Sequence, residues 1–116
     1  MKAYFAVIVL FLLVACHREA DEPTPNEVPA CIQLIIGQNG RGTTNDNYLA
    51  IYRYKYQKRY VYFGEADCCD QYNLLFDNYC QVLCAPNGGF TGGGDGKCPD
   101  FFKEATEETE LWRRSQ

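Results

Sequence analysis

Histidine, methionine and tryptophan each occur once in the 116 residues, and so does serine, against seven cysteines and nine tyrosines. The serine is Ser115, beside the C-terminus, and the histidine is His17, near the other end. A Ser–His or Cys–His nucleophile arrangement therefore has no members in the body of the chain. Basic residues are short as well. Eleven Lys and Arg stand against fifteen Asp and Glu, a formal charge of −4, which argues against nucleic acid as a main partner. Long apolar runs are confined to the first fifteen residues, MKAYFAVIVLFLLVA. That run falls short of the roughly 20 residues a membrane-spanning helix needs.

What the run does resemble is a secretory leader, with Lys2 ahead of an apolar stretch and no stop-transfer pattern behind it. It ends in Leu13-Val14-Ala15-Cys16, which resembles the box at which bacterial lipoproteins are cleaved and lipidated. The expected organisation is a signal peptide over 1–15, a lipidated Cys16 with an acidic tether over 16–27, and one cysteine-rich domain over 28–114. Several acyl chains on Cys16, at about 0.8 kcal/mol per buried methylene, would anchor the chain to a membrane. The tether, His17-Arg-Glu-Ala-Asp-Glu-Pro-Thr-Pro-Asn-Glu27, is polar and carries two prolines. The expected location is the bacterial outer membrane; the acidic run resembles surface-export signals, a plain tether accounts for it too, and which face carries the domain stays open.

Six cysteines remain: Cys31, Cys68, Cys69, Cys80, Cys84 and Cys98. An even number in a small exported domain reads as a disulfide framework, with fifteen pairings open. Zinc is the competing reading for Cys80-x3-Cys84, but an oxidising compartment and a lone histidine outside the domain oppose it. With Val82 in a strand, Cys80 and Cys84 are too far apart to bond each other. Cys68 and Cys69 are expected to take two different partners.

Val28-Pro-Ala-Cys-Ile-Gln-Leu-Ile-Ile-Gly37 has proline at a first helical position and glycine at its end, which predicts a short helix. Val28, Cys31, Leu34 and Ile35 share one face. Gln38–Asn47 predicts a loop. From Tyr48 to Phe63 the residues alternate, Tyr52, Tyr54 and Tyr56 on one face and Ile51, Arg53 and Lys55 on the other. A turn at Gln57-Lys58 would make this a hairpin, although it lacks the glycine or asparagine of a tight turn. Asn73–Leu83 predicts a second hairpin turning at Asp77-Asn78. Pro99–Glu104 predicts a helical turn capped by Asp100, and Thr109–Arg113 an edge strand. The expected class is α+β: a small disulfide-stabilised domain with one N-terminal helix packed on an antiparallel sheet of two hairpins, plus an irregular glycine-rich loop.

That loop, Cys84-Ala-Pro-Asn-Gly-Gly-Phe-Thr-Gly-Gly-Gly-Asp-Gly-Lys-Cys98, holds six of the ten glycines. It is not a phosphate cradle. A P-loop ending at Gly96-Lys97 would need glycine at Thr91 and a hydroxyl residue at Cys98. The EF-hand pattern fails because Lys97 follows Asp95 where an acidic or amide residue belongs. Asp95 and Asp100, with loop carbonyls, are where a calcium ion would sit. Glycine's freedom to adopt positive φ is the simpler account, and no cofactor is expected.

The block from Cys68-Cys-Asp70 through Cys84-Ala-Pro-Asn-Gly-Gly-Phe-Thr-Gly-Gly-Gly-Asp-Gly-Lys-Cys-Pro-Asp-Phe101 resembles an uncharacterised family of short cysteine-rich bacterial lipoproteins. Their pattern is CCD, a Leu-rich hairpin, then CAPxGGxTGxGDGxCxDF. Pro29-Ala-Cys-Ile32 is similar to that family's start. Tyr56-Gln-Lys-Arg-Tyr-Val-Tyr62 resembles its YxGxxVY hairpin, with Lys58 where glycine is usual. The resemblance covers residues 28 to about 112. It implies an exported domain of unknown function and carries over no catalytic residue.

The expected function is that of a lipid-anchored envelope protein with a disulfide-tied binding module and a protein or glycan partner. The contact residues expected are Asn87, Phe90, Thr91, Asp95 and Lys97 on the glycine loop, and secondarily Tyr52, Tyr54 and Tyr56. For those tyrosines, sheet packing is the favoured alternative. Three other readings stand beside it: a protease inhibitor presenting a stapled loop, a structural envelope component, and an enzyme acting on glycan or cell-wall material through Asp67 and Asp70. Enzyme activity is not expected.

Overall fold

The computed structural model describes residues 27–40, 48–68 and 70–115. The expected leader, Cys16, most of the tether, residues 41–47 and Cys69 lie outside the described residues. Two helices and five strands follow in order: α1 (Ala30–Gly40), β1 (Tyr48–Tyr56), β2 (Arg59–Ala66), β3 (Tyr72–Phe76), β4 (Val82–Gly88), α2 (Phe101–Glu104) and β5 (Thr106–Arg113).

All five strands form one antiparallel sheet in the order β4-β3-β2-β1-β5. This corrects the expected architecture of a helix on two hairpins. β2 pairs directly with β3, with Gly64 opposite Leu74 and Phe63 opposite Leu75, so the two hairpins merge into a four-stranded meander. β5 then returns along the free side of β1, with Trp112 opposite Ile51 and Glu110 opposite Tyr52. The domain is mostly β, and the helix is one of two coverings on the sheet.

Two coverings are needed because the sheet is apolar on both faces. One face gathers Ile51, Tyr62, Phe76 and Tyr48 around the fully buried Ile32 of α1, with Ile35 and Ile36 packed alongside. The other gathers Tyr54, Tyr56, Val61, Phe63 and Leu75 around Phe101, which is also fully buried. Full burial of such a side chain contributes about 2–3 kcal/mol. Phe101 meets the Tyr54 and Tyr56 rings edge-on at 5.0 and 5.2 Å between centroids.

Disulfides fix both coverings. Cys31–Cys80 ties α1 to the β3–β4 connection, and Cys84–Cys98 ties β4 to the segment leading into α2. Cys80 and Cys84 thus pair elsewhere, as their spacing requires. In the chain-entropy account, loops of these lengths stabilise the fold by about 4 and about 3 kcal/mol. Cys68 is disulfide-bonded too.

Local differences from expectation have local causes. Around α1, Val28, Cys31 and Ile35 pack toward the core as expected and Ile32, beside the crosslinked Cys31, is fully buried, while Leu34, expected on the same face, is 66% exposed. The helix runs past Gly37 into the expected loop. There Asn39 donates to the Ile35 carbonyl and accepts the Tyr48 N–H, joining the helix end to β1. Asp100 does not cap α2 with its side chain; its carboxylate accepts the Tyr56 hydroxyl at 2.8 Å instead.

The β1–β2 hairpin closes at Gln57-Lys58 with Tyr56 opposite Arg59. Both turn residues are left-handed, at φ 50 and 64, a conformation costing a non-glycine residue roughly 1–2 kcal/mol. Lys58→Gly is therefore expected to stabilise the protein by about 1 kcal/mol, read as a Tm rise of about 4–8 °C in thermal unfolding.

The buried tyrosines carry a second expectation. Burial, reinforced by the Glu108 charge, pushes the Tyr54 hydroxyl up to about 12; burial and then the bond to Asp100 raise that of Tyr56. The folded state therefore holds these protons more tightly than the unfolded chain, whose tyrosines titrate near 10. Their contribution is complete below about pH 10 and is lost as pH climbs toward 12. Urea midpoints should fall steadily over that interval, and Tyr54→Phe should flatten the decline.

Candidate functional site

The glycine loop begins inside the sheet: Cys84–Gly88 belong to β4 rather than to the irregular segment. After Gly89 the chain doubles back along the outer side of β4. The Gly88 N–H donates to the Gly92 carbonyl, the Gly94 N–H to the Gly88 carbonyl, and the Asp95 N–H to the Ala85 carbonyl. Gly88 and Gly93 form a parallel bridge. The loop thus occupies backbone groups that an edge strand would otherwise leave open.

This close return is why glycine is required. A Cβ on Gly94 would lie 2.1 Å from the Ala85 carbonyl oxygen, and its φ is +74. A Cβ on Gly88 would lie 2.5 Å from the Gln71 carbonyl oxygen at φ +83. Neither contact involves a flexible side chain that could move aside.

At the crest, Phe90 is 92% exposed, the most exposed large apolar side chain among the described residues. Tyr72, at the start of β3, lies against Gly89 and is half exposed. The other expected loop contacts differ in freedom. Thr91, Asp95 and Lys97 are exposed. Thr91 accepts the Gly93 N–H and Asp95 accepts the Lys97 N–H, turning the chain toward Cys98. Asn87 is half-buried and accepts a bond from Asn73, whose own oxygen holds the Ala66 N–H. It braces the loop's base.

The tyrosine face is placed differently. Tyr54 and Tyr56 are in the core, and half-buried Tyr52 accepts a bond from Arg113. Their alternation belongs to sheet packing. Asp95 and Asp100 are committed to the Lys97 N–H and the Tyr56 hydroxyl. Among the described residues no group of three or more His, Cys, Asp or Glu could hold a metal. Asp67 pairs with Arg114 at 3.1 Å beside a shallow cavity of about 200 Å³ whose walls do not include Asp70.

Sequence reasoning missed Tyr72 as an exposed neighbour of the loop, since it reads only as a strand start. It also missed a cleft of about 180 Å³ between the β1–β2 turn and Cys98, where Gln57, Arg59 and Lys97 meet. Nothing in the spacing of those residues announces their proximity.

If the loop is held as described, Gly94→Ala should cost at least about 2 kcal/mol. Gly93→Ala, whose Cβ would meet nothing closer than 3.6 Å, should stay within about 0.5 kcal/mol of the parent. Paired urea unfolding curves measure both.

No curated protein and no solved structure matches the chain. A family model does, over residues 38–114, which span all five strands and the glycine loop. The chain belongs to the family described as "Domain of unknown function (DUF6970)".

Proposed function

We propose that the protein is a lipid-anchored bacterial envelope protein whose disulfide-tied domain is a binding module, meeting a protein or glycan partner through the crest of its glycine loop. The observation that carries this reading is Phe90, 92% exposed on a loop that is crosslinked at Cys84–Cys98 and hydrogen-bonded along β4. An aromatic ring on a preorganised backbone loses little freedom on binding, and such rings anchor recognition surfaces. Tyr72 adds a second exposed ring at the loop's base, and Thr91 and Asp95 supply polar groups. The wound backbone, unlike an extended segment, favours surface contact over insertion into a protease cleft.

The envelope location draws its support from the leader with its Leu13-Val-Ala-Cys16 box and from the disulfides, which persist in oxidising compartments. The family resemblance to short lipoproteins points the same way.

The reading is tested with the full chain in detergent micelles on glycan and peptide arrays, alongside Phe90→Ser. A binding signal that falls about tenfold in the variant, equivalent to ~1.4 kcal/mol, with an unchanged circular dichroism spectrum, is expected. Equal signals, or none from the parent, would overturn it. For the anchor, Cys16→Ala should move the protein from the membrane pellet to the soluble fraction. An unlipidated Cys16 in the intact mass of the mature parent would refute that part.

A further inference from the structure

We infer a second binding site, for a carboxylate on a short aliphatic chain, in the cleft between the β1–β2 turn and the end of the glycine loop. The cleft measures about 180 Å³, below the roughly 300 Å³ at which drug-sized pockets begin. It suits a fragment and is too small for a nucleotide or a sugar phosphate. Its apolar wall is the fully buried Leu75, half-buried Leu83 and the Cys84–Cys98 disulfide. Its rim carries Gln57, Arg59 and Lys97, all exposed.

Two cations converge here in a protein of net charge −4. Among the described residues the ion pairs join Arg113 to Glu110 and Arg114 to Asp67, and neither Arg59 nor Lys97 takes part. The nearby carboxylates are engaged elsewhere. Asp95 accepts the Lys97 backbone N–H, and Asp100 accepts the hydroxyl of Tyr56, whose ring lines the cleft. Both carboxylates keep their charge, so a bound carboxylate is recognised through the free side-chain donors of Arg59 and Lys97 rather than through a surplus of positive charge. Arg and Lys lining one cleft are the residue types that recognise a carboxylate, and the amide of Gln57 is a further donor of the right kind. The apolar wall takes the aliphatic tail.

The turn adds an independent observation. Gln57 and Lys58 hold left-handed conformations that asparagine and glycine would adopt at lower cost. Gln57 lines the cleft, and strain of this kind gathers at ligand sites.

The same group could arrive as a free short-chain acid or as the C-terminus of a peptide, and one titration separates the sources. The ¹⁵N-labelled full chain in micelles is titrated with butyrate, butyramide and N-acetyl-Ala-Ala as the free acid. Butyrate or the peptide acid is expected to shift the amides of Gln57, Arg59 and Lys97 with a dissociation constant in the millimolar range. Butyramide should leave them in place. Tighter binding of the peptide acid assigns a peptide C-terminus, and tighter binding of butyrate assigns the free acid. Arg59→Gln with Lys97→Gln should weaken binding about tenfold or more, and Lys97→Gln alone, at an exposed position outside the strands, should weaken it about threefold. The inference is overturned by an absence of shifts up to about 50 mM, by equal shifts with butyramide, or by undiminished binding in Lys97→Gln.

Discussion

The Cys84–Cys98 disulfide is the constraint on which the rest of the domain depends. It closes a span of fourteen residues, and the chain between its ends must return along the strand it left. That return forces glycine at Gly88 and Gly94, where neighbouring carbonyl oxygens leave no room for a side chain. It also delivers the chain at Cys98 to the point from which Phe101 drops onto the sheet, among Tyr54, Tyr56 and Phe63. One covalent bond thus shapes the exposed crest and seats the buried ring that covers one face.

A sheet apolar on both faces also has two edges to manage, and each is handled differently. The glycine loop covers part of β4 by hydrogen bonding to it. β5 carries Glu107, Glu108 and Glu110, and its register with β1 is broken twice. Charge and irregularity make it a poor template for another strand. A short chain with so much sheet would otherwise offer two adhesive borders.

Much of this was legible in the residues, and the failures have a common cause. The alternation of Tyr52, Tyr54 and Tyr56 against Ile51 and Arg53 gave the two faces of β1, because side-chain direction in a strand is local. The turn at Gln57-Lys58 and the failure of the phosphate and calcium motifs were equally local. What could not be read was which strands lie side by side. The merging of two hairpins depends on the pairing of β2 with β3, and the seat of β5 beside β1 on partners about sixty positions away. Around α1, Val28, Cys31 and Ile35 face the core as their spacing predicts, but the face is wide enough that Ile32 is its buried centre and Leu34 falls outside it, which the packing partners across the sheet decide. The cleft at Gln57, Arg59 and Lys97 was hidden likewise, since folding alone brings a turn and a distant loop end together.

The Cys31–Cys80 bond has a mechanical side. Helix α1 is the first described element, and a pull applied at Val28 to Ala30 enters it at its N-terminal end. A helix loaded at its end unravels turn by turn under small forces. Here the load meets Cys31 within the first turn and crosses through sulfur to the connection between β3 and β4. The helix is bypassed, and the tension is shared by hydrogen-bonded strands. A pull applied at that end of the helix is thereby carried by the sheet.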